Sequence, residues 1–331
     1  MIFVTGGTGF LGRHLVPTLS KAGYQLRVLT RQPDENHWLS KYPNVEVVCG
    51  DLRTGENLEA VQGCDYVVHA AGLFSMWRMA GDFEATNVTG TENLLAAASR
   101  AHVKRLVYIS TLAVIGNPQP NRIIDESQPP RPADPYQASK LKAEQVIKRH
   151  HQQQDIETII LRPGAFYGPM GDYAFNRLFF ADPMRGIIMQ MDGGHYRIFP
   201  IYIADAAQGI LLALTEGKSG EIYNICDDPI AHRDAFDIIC EEANIRWPRL
   251  NIPAVIGINF SRLLSFISRL TRREPFWPLG LRSYVFNDWH VTSEKARREL
   301  GFETISFTEG AKRTIAWYRA GKPDCLPEFD G

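Results

Sequence analysis

The chain has 331 residues, 44% of them hydrophobic, and a formal net charge of −1. That length suits a large α/β domain with a smaller lobe, and the balanced charge excludes the basic footprint of a nucleic-acid-binding protein. Five scattered cysteines, Cys49, Cys64, Cys226, Cys240 and Cys325, form no Cys-x-x-Cys pair, which excludes a disulfide framework or zinc site and fits reduced thiols.

Ile2, Phe3 and Val4 form an apolar run without alternation, as a parallel strand buried on both faces requires. Because Met1 leads directly into this strand, a cytoplasmic chain without a signal peptide is expected. Gly6, Gly9 and Gly12 follow, and Leu11, Leu15, Val16 and Leu19 recur at helical spacing, so the segment reads strand, tight turn, helix. Glycine at such a turn permits unusual backbone angles and lets the main chain approach a pyrophosphate, while the helix start offers free N–H groups to phosphate. In this context the triplet predicts dinucleotide binding. Further strands are predicted at 25–30, 45–48, 66–69, 105–110 and 158–161, with helices at 82–101 and 136–151 between them. The alternation predicts an α/β fold with a doubly wound parallel (Rossmann) sheet, its ligand at the carboxyl ends of the strands. After about residue 165 the regularity falls. Residues 1–165 are therefore read as the nucleotide-binding domain with the catalytic residues. Residues 166–331 are read as mainly a smaller, interleaved substrate lobe, with helices near 204–216 and 293–300 returning to the first domain.

Thr111 ends the fifth predicted strand, and Tyr136-Gln-Ala-Ser-Lys140 opens the long helix after it. Lysine at i+4 shares a helix face with the tyrosine. A phenol with a pKa about 10 is a poor base near neutrality. Its pKa must fall, and the charge of Lys140, with that of an oxidised nicotinamide, favours the phenolate. Glycine turn, threonine, tyrosine and lysine together predict an enzyme that moves a hydride and a proton.

These motifs, together with Gly50-Asp51-Leu52, Val68-His-Ala-Ala-Gly72, Asn87 in Asn-Val-Thr-Gly-Thr, and Leu161-Arg-Pro-Gly164, make the chain resemble the extended short-chain dehydrogenase/reductases, the NAD(P)-dependent epimerase/dehydratase superfamily. Weaker features, Ile203-Ala-Asp205 and Lys295-Ala-Arg-Arg-Glu-Leu-Gly301, continue the resemblance almost to the C-terminus. It implies that Thr111, Tyr136 and Lys140 are catalytic, with Thr111 bonded to the reacting oxygen and Lys140 to the nicotinamide ribose. The implied cofactor contacts are Gly6, Gly9, Phe10, Leu11, Gly12 and Arg13 around the pyrophosphate, and Asp51 and Leu52 beside the adenine. Ala70, Ala71 and Gly72 lie beneath phosphates and ribose, and Asn87, Pro163 and Gly164 complete the set. An acidic residue after the second strand would favour NAD(H). Here Arg31 stands there, with Arg13 near the first helix, and NADP(H) is expected instead.

The resemblance also bears on substrate. Dehydratases of the superfamily usually carry Asp-Glu after the threonine, where this chain has Leu112-Ala113, and enzymes of nucleotide sugars often carry asparagine where it has Gly164-Ala165. Leu73-Phe-Ser-Met-Trp-Arg-Met79 offers bulky apolar groups near the expected substrate. The implied activity is interconversion of a secondary alcohol and a ketone on a bulky apolar molecule, as in the 3β-hydroxysteroid dehydrogenase and dihydroflavonol reductase branch. The alternatives are a nucleotide-sugar epimerase and a cofactor-sensing regulator, though regulators on this fold typically lack the tyrosine and lysine.

Between 252 and 281, Phe260, Leu263, Leu264, Ile267 and Leu270 repeat at helical spacing, with Arg262, Arg269 and Arg273 on another face. Three readings stay open: a lid over the substrate, a packing or homodimer face, and weak membrane-surface contact through residues 256–273. The arginines exclude a spanning helix. No metal site is predicted, because His150-His151 has no partners at ligand spacing, Asp125-Glu126 reads as a turn, and Asp205 reads as a helix anchor.

Overall fold

The structure, a computed structural model, describes residues 1–119, 122–153, 156–271 and 273–324; Cys325 and the Arg269 side chain lie outside the described set. Seven parallel strands, β1 (Ile2–Thr5), β2 (Leu26–Thr30), β3 (Val45–Cys49), β4 (Tyr66–His69), β5 (Arg105–Ile109), β6 (Glu157–Pro163) and β7 (Ile222–Ile225), form one sheet in the order β7-β6-β5-β4-β1-β2-β3. Four helices flank it: α1 (Gly12–Lys21), α2 (Gly90–Arg100), α3 (Pro135–Gln153) and α4 (Ile203–Glu216). Alternate side chains of each strand enter opposite cores. Ile2 and Val4 join Leu15, Leu19 and Ile210 of α1 and α4, whereas Phe3 joins Leu94 and Ile147 of α2 and α3. Both faces of β1 are thus covered, which is why its apolar run shows no alternation.

Strand order reverses between β1 and β4, so the loops after these two strands diverge and leave a crevice at their carboxyl ends. Several elements differ from the sequence expectation, among them helices at His232–Glu242 and Phe307–Arg319, which were not predicted. Helix 82–101 begins earlier, at Ala80–Phe83, and passes through a π-helical turn, Glu84–Thr89, before α2. Strand β7 was not predicted either, and it holds a polar residue, Asn224, in a buried position.

The later part of the chain packs around an aromatic core of Tyr167, Phe175, Phe179, Phe180, Phe236 and Phe307. Helices α5 (His232–Glu242) and α8 (Phe307–Arg319) enclose this core, while α7 (Glu294–Leu300) packs on α4 and β7. Helix α6 (Ala254–Thr271) lies outermost, and its Leu264 touches a small cluster of Met191, Trp277, Leu281 and Val285.

Candidate active site

A cavity of about 400 Å³ runs from the glycine turn, past Thr111 and Tyr136, to the aromatic lobe. Gly6, Gly9, Phe10, Leu11, Ala70, Ala71, Gly72, Thr111, Tyr136, Pro163 and Gly164 all line it. The turn is built for close approach of backbone. Gly6 has φ +74°, and a Cβ there would lie 2.5 Å from the Ala71 nitrogen; at Gly12 it would lie 2.2 Å from the Gly7 carbonyl carbon. No side chain fits at either position. Phe10 and Leu11 meet the cavity where α1 begins, so its unpaired N–H groups and the positive end of its dipole face the same space. A narrow glycine-walled crevice with a helix start at its base fits a dinucleotide pyrophosphate.

The crevice is held open by a hydrogen-bond chain that sequence reasoning missed. His69, fully buried at the end of β4, contacts Thr5 Oγ1 through Nδ1 at 2.7 Å and Thr91 Oγ1 through Nε2 at 2.8 Å. Because Thr91 donates its hydroxyl proton to the Asn87 carbonyl (2.7 Å), it must accept from His69, which assigns the Nε2–H tautomer. Thr5 then donates to Nδ1 and accepts from the Ala71 N–H at 3.3 Å. The chain needs neutral imidazole, and burial lowers the His69 pKa to about 3, with the Lys140 charge acting in the same direction. His69 therefore ties β1, β4 and the following helical segment together as a structural residue.

Tyr136 stands at the start of α3, where Asp134 accepts the Gln137 N–H (2.8 Å) and Pro135 occupies the first turn, a favourable helix start. Phe74 and Phe83 meet its ring edge-on, with centroids 4.8 and 6.0 Å away. The expected fall in its pKa is not what the protein side chains produce. Burial and the nearby Asp134 carboxylate push the phenol upward, while the Thr111 hydroxyl, hydrogen-bonded to it, opposes the rise. Lys140 is equally changed from expectation: its Nζ donates to the Ile109 carbonyl at 2.6 Å and lies 4.4 Å from the Tyr108 ring centroid. Burial lowers its pKa to about 7, against the opposing pull of Glu144, so its charge is only partly held at neutrality. Lys140 lies behind Gly72, where a Cβ would meet its Nζ at 3.5 Å, rather than on the cavity wall.

A second buried network, also missed, anchors this helix. Glu144, one turn beyond Lys140, accepts from Ser110 Oγ at 2.6 Å and from Arg162 Nε and Nη2 at 2.8 and 2.6 Å. Both ends of the ion pair are almost wholly inaccessible. It locks α3 to the ends of β5 and β6, which carry Thr111 and Gly164. The signal available in sequence was a glutamate at i+4 from Lys140 together with an arginine inside an apolar strand.

Other expected site residues lie outside the wall of this cavity. Asn87 sits in the π-helical turn with its amide already bonded to the Leu73 N–H and carbonyl and to Ser139 (2.7, 3.1 and 2.9 Å), so it positions the Gly72 loop and does not line the cavity. Asp51 is paired with Arg53, the main cause of its lowered pKa, and Leu52 is buried against Gly90. Neither lines the cavity. Arg13 lies 5.5 Å from the Trp38 ring centroid and 3.9 Å from Asp324. Arg31 is exposed at the end of β2 and makes no ion pair among the described residues. Of 73–79, Phe74 and Met76 reach the cavity whereas Met79 projects into solvent. The lid expectation for α6 is corrected: Phe260, Leu263 and Phe266 face solvent, and Leu281, Tyr284 and Val285 line the cavity in their place. Asp205 anchors the Ile305 N–H at 2.9 Å, and Asp125 and Glu126 hold a turn through Ser127 and the Asn224 N–H.

Comparison with known proteins agrees with this architecture. Residues 2–226 match the NAD dependent epimerase/dehydratase family. A 4-hydroxy-2-methyl-3-oxo-4-farnesyl-3,4-dihydroquinoline-1-oxide ketoreductase of Stigmatella aurantiaca is 33% identical over 91% of both chains. A 3 beta-hydroxysteroid dehydrogenase/Delta 5-->4-isomerase of Mycobacterium tuberculosis is 31% identical over 99% of this chain and 90% of its own. Among solved structures, a dTDP-glucose 4,6-dehydratase of Streptomyces venezuelae with NAD bound superposes with a TM-score of 0.79 at 27% identity, covering 96% of this chain and 97% of its own. The chain, matched by these relatives along nearly its whole length, belongs to the NAD-dependent epimerase/dehydratase family of NAD(P)-dependent enzymes, the extended short-chain dehydrogenase/reductases.

Proposed function

We propose that the protein is an NADP(H)-dependent oxidoreductase that interconverts a ketone and a secondary alcohol on a bulky, largely apolar substrate. One observation carries the reading: beyond Tyr136 the cavity is walled by Phe74, Met76, Phe166, Phe175, Phe179 and Phe199, and none of its lining residues is Lys, Arg or His. A nucleotide sugar brings a diphosphate whose burial without cationic partners is unfavourable. The carboxylate on the wall, Asp172, would repel it, although Lys322 pairs with that group at 2.6 Å. Buried Leu112 and Ala113 after Thr111 supply no acid or base for dehydration. The named activities of the two sequence relatives, on a farnesylated dihydroquinoline and on a 3-beta-hydroxysteroid, are of the proposed substrate class.

When bound, the nicotinamide supplies or accepts the hydride. Tyr136 moves the proton: its raised pKa keeps it a phenol, the form that donates to a ketone oxygen as that oxygen gains charge. The Thr111 hydroxyl, held beside the phenol and by the Ala113 N–H (3.2 Å), hydrogen-bonds the same oxygen. Phe74 and Phe83 fix the Tyr136 ring and exclude water from it. Lys140, through the Ile109 carbonyl, connects the catalytic helix to the strand carrying Thr111. For cofactor choice, exposed Arg31 at the end of β2 is available to a 2′-phosphate.

The test is turnover of bulky ketones and of nucleotide sugars with NADPH and NADH. Consumption of NADPH in proportion to alcohol formed from a steroid- or flavanone-like ketone is expected. Conversion of a nucleotide sugar with no net change in cofactor would overturn the proposal in favour of an epimerase.

A further inference from the structure

Helix α6 is inside out by the standards of a water-soluble surface helix. Among the described side chains, those it buries against the protein are small or polar: Gly257 packs within reach of Phe286, Ser261 and Ser268 are buried, and the larger Ile258 and Leu264 are half-buried, Leu264 against a hydrophobic cluster. Its outward face carries Val255, Ile256, Phe260, Leu263, Phe266 and Leu270, each at least half exposed. At 3.6 residues per turn these six occupy an arc of roughly 140°, opposite the buried one. A contiguous apolar surface of this kind on a soluble protein marks a contact site.

Charge identifies the occupant. Between Glu242 and Glu274 the chain carries six arginines, Arg246, Arg249, Arg262, Arg269, Arg272 and Arg273, and no Asp, Glu or Lys, within a protein whose net charge is −1. Arg249 is paired with Asp237, while Arg262 and Arg273 are exposed in and beside α6. A second copy docked through the same face would bring two such cationic sets together, because a two-fold contact opposes each patch to itself. An anionic lipid surface instead takes the apolar arc into its acyl boundary and the guanidinium groups into its headgroups. No helix among the described residues is long and apolar enough to cross a membrane, so the fitting geometry is a helix lying in the interface plane.

We infer that the outward face of α6 is a docking surface for an anionic membrane, on which the protein binds as a peripheral enzyme through Phe260, Leu263, Phe266 and Leu270 with arginines at the rim. This inference is independent of the substrate proposed for the cavity, since docking is read without substrate or turnover.

The experiment is sedimentation of the full chain with phosphatidylcholine vesicles, with and without phosphatidylglycerol, alongside analytical ultracentrifugation of the free protein. The expected result is binding to the anionic vesicles. It should fall at least tenfold in a Phe260→Ser/Phe266→Ser/Leu270→Ser variant, and several-fold in Arg262→Glu/Arg273→Glu or near 1 M salt, where the Debye length is about 3 Å. Circular dichroism reports whether each variant is folded, and the charge variant, whose positions are exposed, tests the same surface separately. Failure of the parent chain to bind anionic vesicles, or unchanged binding in both folded variants, overturns the inference. So does a free-protein dimer that the triple-serine variant splits without affecting vesicle binding, which would assign this face to a second copy.

Discussion

Lys140→Met is expected to make the protein more stable at pH 7 while removing its activity. Lys140 is 4% exposed with its amine bonded to the Ile109 carbonyl, and burial lowers its pKa from 10.5 to about 7 even though Glu144 opposes the shift. In the window between those two values the unfolded chain holds a proton that the folded chain has released, so wild-type stability rises with pH across it. Below about pH 7 lysine is charged in both states, and the full penalty of burying that charge persists. Each unit is worth 1.36 kcal/mol, on the order of 5 kcal/mol across the window, against about 1 kcal/mol for the lost hydrogen bond. Methionine fills similar volume and does not titrate. Its variant should therefore melt at a higher temperature at pH 7, with the gap closing by roughly 2 °C per pH unit toward pH 10 for a chain of this size. Thermal melts of both proteins from pH 6 to 10, followed by circular dichroism, measure this gap. A gap independent of pH, or a less stable Met variant at pH 7, would refute the idea that Lys140 is held in the fold against its own desolvation.

Tyr136→Phe should lower turnover by roughly 10²–10⁴-fold with cofactor affinity nearly intact, because it removes the phenolic hydroxyl and little else; steady-state kinetics and a cofactor titration check it, and near-normal turnover in the folded variant would remove Tyr136 from the chemistry. Glu144→Gln should cost about 3–5 kcal/mol by leaving the Arg162 guanidinium buried without its counter-charge. Adding Arg162→Met should recover part of that loss, and simple additivity in denaturation experiments would show the two are not coupled. For Gly6→Ala, the 2.5 Å approach to the Ala71 nitrogen and φ +74° predict destabilisation of about 1–3 kcal/mol together with weakened cofactor binding. Unaltered melting and affinity would count against the close-approach account of the turn. Arg31→Ala should weaken NADPH by about 1.5–3 kcal/mol more than NADH, since a charged hydrogen bond to the 2′-phosphate is lost; equal losses in a fluorescence titration would reduce Arg31 to a surface charge.

What could be read from the residues alone depended on whether the responsible physics is local. The apolar run of β1, the glycine spacing and the i, i+4 relation of Tyr136 and Lys140 are short-range, and each element appears in the fold at its expected place. The supporting networks are long-range: His69 reaches Thr5 and Thr91 across 64 and 22 residues, and Glu144 reaches back 34 to Ser110. Nothing in the neighbourhood of His69 announces that its ring joins three segments. The ionisation of Tyr136 and Lys140 has a long-range part for a related reason. Sequence spacing supplies the neighbouring lysine charge, whereas the opposing desolvation depends on how completely the surrounding helices and strands close over both groups.

Helix α6 carries the same lesson one step further. Periodicity alone shows that Phe260, Leu263, Ile267 and Leu270 share a face, because 3.6 residues per turn is a property of the helix itself. It does not show which way that face points, and the usual inference, apolar side inward, fails here. Gly257, Ser261 and Ser268 fit close to the protein because they are small, while bulky phenylalanine and leucine side chains on that side would be driven into Phe286 and the Met191 cluster. Size complementarity at the inner contact therefore decides the orientation, and water outside does not. A helix docked by its small residues leaves its apolar side chains available to a medium less polar than water, which is why the arginines around it, rather than its hydrophobicity, distinguish a lipid surface from another protein face.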